Sequence, residues 1–284
     1  YNMVIFARSG AGKSVTMKTL ISRSAVLMGI QSLALDAEGE YSIVAESLGG
    51  INVVLSPTSS TVINIFDLET EIVKDEITGR ERLVLNVENK VEDVTQALLT
   101  MARGSTRSQE VNELTKQIIA ESVSEEYASL GINGDPNSLY KTSNGSMGGN
   151  MLGKEKKEMP TIGSWYRRIQ RKAEENKNQD YSFHYSYLLK VMKQYIREYD
   201  GQMAYFDGQS TFDLLDGTLF INLDISQLEE RFARPLAQQI LLAWIWEKYV
   251  KKNSEDRERA SKKRVIVDEA WMLLPYPEAV DFLN

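Results

Sequence analysis

One stretch constrains this chain more than any other: Ala7-Arg8-Ser9-Gly10-Ala11-Gly12-Lys13-Ser14. A short apolar run at 2–6 (NMVIF) leads into it, and a helical pattern runs from Lys13 to about Met28, stopping at Gly29. A strand, a turn of small residues and a helix bring the backbone N–H groups from Gly10 through Ser14 inward, where larger side chains would obstruct them. The residues follow the pattern G-x-x-x-x-G-K-[ST], with Ala7 in place of the first glycine. Such a cradle suits an anionic phosphate. Lys13 supplies a point charge to the terminal phosphates, Ser14 offers a hydroxyl to Mg²⁺, and the positive end of the helix faces the same anion. The nucleotide-binding set read from this element is Ser9, Gly10, Ala11, Gly12, Lys13, Ser14 and Val15, against the plainer reading of a chance glycine turn before a helix.

The flanking sequence alternates strand and helix signals. Strands are expected at 31–35 (QSLAL) and 51–55 (INVVL), a spacing that points to a βαβ unit and a parallel sheet. From about Asp67 the pattern becomes helical, with helices expected at 89–101, 110–127, 162–176 and 183–199. Six glycines and four asparagines crowd residues 131–153, read as a long mobile loop spanning 131–160. Alternation resumes with a strand at 218–223 (TLFINL), an amphipathic helix at about 228–251, a charged solvated loop at 252–263 and the β-prone run 264–267 (RVIV). The expected organisation is therefore a first α/β part at 1–66, a helical insertion at 67–205 and a second α/β part at 206–284.

The last strand ends in Asp268 and Glu269. An apolar strand ending in Asp sets that carboxylate at the C-terminal edge of a parallel sheet, where ligands bind. In chain order after the phosphate turn, Asp268 is read as holding Mg²⁺ together with Ser14, and Glu269 as the base that orients and deprotonates an attacking water. The catalytic pair is thus Glu269 and Lys13, the metal pair Ser14 and Asp268, and the cofactors ATP and Mg²⁺. Asp36, Glu38 and Glu40 sit after the second strand on the same sheet edge. They read equally as accessory groups for water or metal, or as acids of a turn at a helix start.

Composition narrows the alternatives. The chain has no cysteine and one histidine, His184, which removes disulfide scaffolds, thiol catalysis and cysteine-ligated metals, and argues against a histidine triad. Lys and Arg total 33 against 40 Asp and Glu, a formal charge of −7, so any nucleic-acid contact has to be a local patch. The longest clean apolar run, residues 240–246 (ILLAWIW), is far shorter than the ~20 residues of a bilayer span. The opening at Tyr1 inside an expected strand, without a signal-peptide pattern, reads as a fragment of a longer protein.

With these residues in hand, the chain resembles the conjugation and type IV secretion ATPases of the VirB class, within the HerA/FtsK group of RecA-like motors. The resemblance extends over nearly the whole chain. It is carried by Ala7–Ser14, by Leu35-Asp36-Ala37-Glu38-Gly39-Glu40-Tyr41, by Ile63-Asn64-Ile65-Phe66-Asp67-Leu68, by Tyr205-Phe206-Asp207-Gly208-Gln209-Ser210 and by Val265-Ile266-Val267-Asp268-Glu269. Two departures are Ala7, and Ile65 where the family commonly has proline. The chain also stops fifteen residues after Glu269, before the family's sensor glutamine and the arginine that reaches a neighbour's nucleotide. The resemblance implies a RecA-like P-loop fold with an inserted all-α subdomain, truncated after its last expected strand. It further implies an ATPase energising substrate transfer, or pilus or channel assembly, with activity of this piece alone left open. A cytoplasmic location on the inner membrane of a bacterium follows from it, with membrane and channel components of the secretion machine as partners and a hexamer as the working form. A DNA-pumping motor of the HerA/FtsK or coupling-protein type is the alternative, and a nucleotide-held scaffold a third.

Between Lys154 and Lys193 lie ten Lys or Arg and five Asp or Glu, interleaved with Tyr166, Tyr181, Tyr185 and Tyr187. Contact with DNA or an acidic partner is one reading. A solvated helix face with tyrosines half in the core is the other, and the favoured one. His184 reads as a packed residue, and one of Trp244 and Trp246 is expected to face the sheet.

Overall fold

The computed structural model describes residues 3–6, 8, 10–74, 79–104, 111–141, 155–177, 181–212, 218–250 and 262–273. The chain divides into two compact units: one from Tyr1–Thr61, Phe212–Ile245 and Asp256–Asn284, the other from Val62–Thr211 and Trp246–Glu255.

The first unit is built on a four-stranded, wholly parallel sheet. Its strands are β1 (Gln31–Asp36), β2 (Ile51–Val54), β5 (Phe220–Asp224) and β6 (Lys263–Val267), in the order β2-β5-β1-β6. Leu33 pairs with Ile221 on one side and Val265 on the other, which brings the C-terminal ends of β1, β5 and β6 level. Helices α1 (Lys13–Met28) and α2 (Ser42–Ser47) share one face: Ile21, Val44 and Ala45 pack with Ala34, Phe220 and Ile266. The β1-α2-β2 crossover and the β5-α7-β6 crossover run in opposite directions along the sheet, so right-handed connections set α7 (Ala233–Ile245) on the other face. Trp244 is buried against Phe212, while Trp246 is exposed.

Two sequence expectations need correction in this unit. Residues 3–6 form no strand, and Met3, Val4 and Phe6 are exposed. An apolar run becomes a strand only when a neighbour completes its backbone ladder, and none of the described strands does so here. The long helix begins at Ala233, later than the expected 228, because the Glu229 carboxylate accepts the N–H groups of Arg231, Phe232 and Ala233 and so starts the helix itself.

The second unit is helical, with α3 (Val87–Arg103), α4 (Glu113–Ser129), α5 (Ile162–Glu175) and α6 (Ser182–Met192). Side chains cap three of these helices: Asn86, Asn112 and Thr161 accept from the N–H of Asn89, Thr115 and Ser164. The helix expected at 183–199 ends at Met192 and continues as two 3₁₀ turns. A two-stranded antiparallel hairpin, β3 (Glu71–Lys74) with β4 (Glu81–Val84), adds to the helices and was not expected, since four-residue strands rich in charge carry little pattern. The residues that carried the resemblance stitch this unit together. Asn64 N–H donates to Ser210 Oγ at 2.9 Å, Ser210 Oγ donates to Asp67 Oδ2 at 2.6 Å, and Asp207 accepts from Gly163 and Arg197 N–H.

Its basic residues are extensively paired within the fold. Arg168 bonds Glu126, Lys172 bonds Glu125 at 2.7 Å and Lys156 bonds Glu69 at 2.8 Å. The Tyr166 and Tyr187 hydroxyls donate to the backbone carbonyls of Leu189 and Ala102, and buried His184 meets Thr115 Oγ1 at 2.9 Å. These contacts describe a packed helical layer with a charged outer face. Lys154, residues 142–154 of the expected loop and residues 252–261 of the charged one lie outside the described residues. Among the described residues no helix is long and apolar enough to cross a membrane.

Candidate functional site

The turn before α1 has two left-handed residues, Gly10 (φ 78°) and Gly12 (φ 86°). A side chain at either would add about 1–2 kcal/mol of backbone strain, which is the physical reason for glycine there. The Ala11 N–H closes the turn on the Arg8 carbonyl at 3.0 Å. No side chain caps α1, and its first turn carries no acid, so the amide dipoles keep their positive end undiminished. Ser14 is half-buried in the first helical turn and Val15 is exposed. Ala7 and Ser9 lie outside the described residues.

Lys13 connects this turn to the far end of the sequence. Its ammonium lies 3.1 Å from Asp268 Oδ1 and also bonds Glu269 Oε1, a residue 256 positions away. Parallel pairing makes this possible: the Asp268 N–H extends the ladder onto the Leu35 carbonyl at 3.0 Å, which sets both acids at the strand ends. Asp268 is buried, and Glu269 is partly open with a left-handed backbone (φ 48°). Its second oxygen accepts from Trp271 Nε1 at 2.5 Å.

The environment separates the two acids. Burial pushes the Asp268 carboxyl up, with Lys13 pulling against it. The hydrogen bonds from Lys13 and Trp271 hold Glu269 below the usual carboxylate range. Burial works against the Lys13 charge, but the bonds to Glu269 and Asp268 outweigh it and raise the lysine. Two carboxyls driven apart in this way suit different roles.

The acidic turn after β1 has a different geometry. The Asp36 side chain is fully buried and accepts from the N–H of Gly39, Glu40 and Tyr41 at 2.8, 3.1 and 2.9 Å, and from Asn222 Nδ2 at 3.1 Å. Its oxygens organise their own loop. Glu38 pairs with Arg234 at 3.4 Å and Glu40 with Lys18 at 3.9 Å. Tyr41, buried beside this turn, has its hydroxyl raised by burial and by the nearby Asp268 and Asp36 carboxylates.

Sequence reading missed three residues around the acids. Trp271 follows Glu269 by two positions. Asn222 bridges Asp36 to Asn52 across the sheet. Gln238, wholly buried on α7, donates to the Asp268 carbonyl at 2.8 Å. Its one signal was the Gln238-Gln239 pair inside the otherwise apolar stretch 236–246.

Comparison with known proteins bears on the family and the fold. The family model described as "Helicase HerA, central domain" matches residues 2–207. No curated protein matches the chain. Among solved structures, VirB4 of Thermoanaerobacter pseudethanolicus is similar, with 23% identity and a TM-score of 0.68 over 98% of this chain and 63% of that one. At that identity the likeness concerns the fold, and this chain spans less than two thirds of the relative's length. The fold is the RecA-like α/β type expected from the sequence, and by its family match the chain belongs to the HerA helicase central-domain family.

Proposed function

We propose that this chain is the ATP-hydrolysing core of a Mg²⁺-dependent traffic ATPase that energises substrate transfer, or pilus or channel assembly, in a type IV secretion or conjugation system. The observation that carries the reading is Lys13 between Asp268 and Glu269, which unites the phosphate turn with the acid pair.

The chain's own groups account for the chemistry. The N–H groups of Gly10, Gly12, Lys13 and Ser14 would hold phosphate oxygens at the uncapped start of α1, with exposed Val15 in the same first turn. Ser14 and Asp268 would hold magnesium: one hydroxyl and one carboxylate suit an ion kept mainly by phosphates and waters. Magnesium, when bound, neutralises phosphate charge and makes the terminal phosphorus a better electrophile. Glu269 is ionised at neutral pH and able to orient a water and take its proton. As Lys13 turns to phosphate, Glu269 loses the bond that most lowers its pKa and gains proton affinity. Asp36 is assigned to shaping the turn, with Glu38 and Glu40 at its rim.

Family membership and the fold likeness to VirB4 support the motor reading, and the working form proposed for it is a hexamer with ATP between neighbours. The assigned location is the cytoplasmic side of a bacterial inner membrane, with membrane and channel components as partners. Membership of a helicase family favours a second reading, a DNA-pumping motor that uses basic residues between Lys154 and Lys193. Stimulation assays separate the two. ATP turnover raised by channel proteins and indifferent to DNA supports secretion. Turnover raised by DNA, with salt-sensitive binding, supports the pump. Absence of turnover sensitive to Lys13→Ala would remove both.

A further inference from the structure

We infer that Gln238 is a positioning residue for the acid pair: it fixes the peptide between Asp268 and Glu269, and with it the left-handed backbone that turns Glu269 toward Lys13. The inference deepens the ATPase reading and rests on it for its effect on turnover.

Gln238 lies mid-way along α7 among Leu236, Ala237, Leu241 and Leu242, with no exposure to solvent. Its Nε2 donates to the Asp268 carbonyl at 2.8 Å, and its Oε1 has no hydrogen-bond partner. Packing alone does not account for an amide there, since leucine fills a similar volume without burying an unpaired oxygen. The bond itself does. A planar peptide turns as one piece, so rotating the 268–269 unit changes ψ of Asp268 and φ of Glu269 together. The Asp268 N–H is held by Leu35, the Asp268 carbonyl by Gln238, and the Glu269 carbonyl by the Met272 N–H at 3.0 Å.

Glu269 needs such a clamp. Besides glycines, only Asp200 and Glu269 have positive φ among the described residues. Asp tolerates that region through its short polar side chain; Glu lacks this compensation. Freed from Gln238, the peptide turns, Glu269 relaxes to negative φ, and its carboxylate swings away from both Lys13 and Trp271. Since α7 covers the face of the sheet opposite α1, the acids are gripped from both sides.

The test uses the full chain with Gln238→Leu and, as a second donor-free variant, Gln238→Met, each beside Glu269→Gln. In protein labelled with 5-fluorotryptophan, the Trp271 fluorine resonance is assigned with Trp271→Phe. The expected result is that Gln238→Leu and Gln238→Met move this resonance in the direction that Glu269→Gln does, leaving the other three in place. ATP affinity stays within about twofold, while kcat falls on the order of tenfold to a hundredfold. Adding Gln238→Leu to Glu269→Gln lowers kcat no further. A Trp271 resonance unmoved in both variants overturns the inference whether or not the protein hydrolyses ATP. So do losses that multiply in the double variant, or failure of both variants to fold, which would assign Gln238 to core packing. A moved resonance in a protein without Lys13-dependent turnover would instead remove the ATPase reading and leave the clamp standing.

Discussion

Lys13 Nζ lies 3.1 Å from Asp268 Oδ1, so the first residue of α1 and the residue after β6 share one charge pair. Lys13→Ala removes the cation from two carboxylates and from the phosphate turn. ATP affinity is expected to fall at least about tenfold, equivalent to ~1.4 kcal/mol. Calorimetric titration with ATP measures it.

Trp271 helps hold Glu269 low. Trp271→Phe removes that bond, so Glu269 takes a proton at higher pH and the ionised base is lost sooner on acidification. The acidic limb of the pH–kcat profile should move to higher pH, with the alkaline limb in place. Steady-state rates across the pH range test this.

A separate ion network lies in the helical unit, where Lys156 and Lys248 contact Glu69 at 2.8 and 2.6 Å. Burial acts to raise Glu69, but the two lysines outweigh it and its pKa is lowered from 4.5. A depressed carboxyl stabilises the fold above its unfolded pKa and loses that contribution as pH falls through the lower folded value. Glu69→Gln should therefore cost about 2 kcal/mol at pH 7, and the difference from wild type should shrink at acid pH. Urea unfolding at both pH values reads the change.

Gly163, the second residue of α5, donates its N–H to Asp207 Oδ1 at 2.6 Å. A Cβ there would meet the two carboxylate oxygens at 3.0 and 3.1 Å. Gly163→Ala is expected to destabilise the helical unit by about 1–3 kcal/mol, seen as faster hydrogen exchange in α5.

Much of this was legible in the sequence because local chemistry carried it. The start and end of α1 follow from Gly12 and Gly29, both left-handed, and the helical pattern at 162–176 marks α5. The meeting of Lys13 with Asp268 and Glu269 could be argued because two half-sites complete each other on one sheet edge. What stayed hidden depends on tertiary neighbours. The run at 3–6 carries the apolar pattern of a strand without the ladder that makes one. Nothing in the sequence pairs Gln238 with a carbonyl thirty residues on. The dual reading of Asp36 turned on hydrogen bonds to its own loop, which exist only once that loop is folded.

Phosphate release from Mg-ATP, measured beside ATP affinity for wild type, Lys13→Ala and Glu269→Gln, tests the central claim most directly. The account predicts turnover in wild type and none in Lys13→Ala. Glu269→Gln should bind ATP within about threefold of wild type while turnover falls on the order of a hundredfold or more. Wild-type turnover in Glu269→Gln, or wild-type ATP affinity in Lys13→Ala, would contradict it.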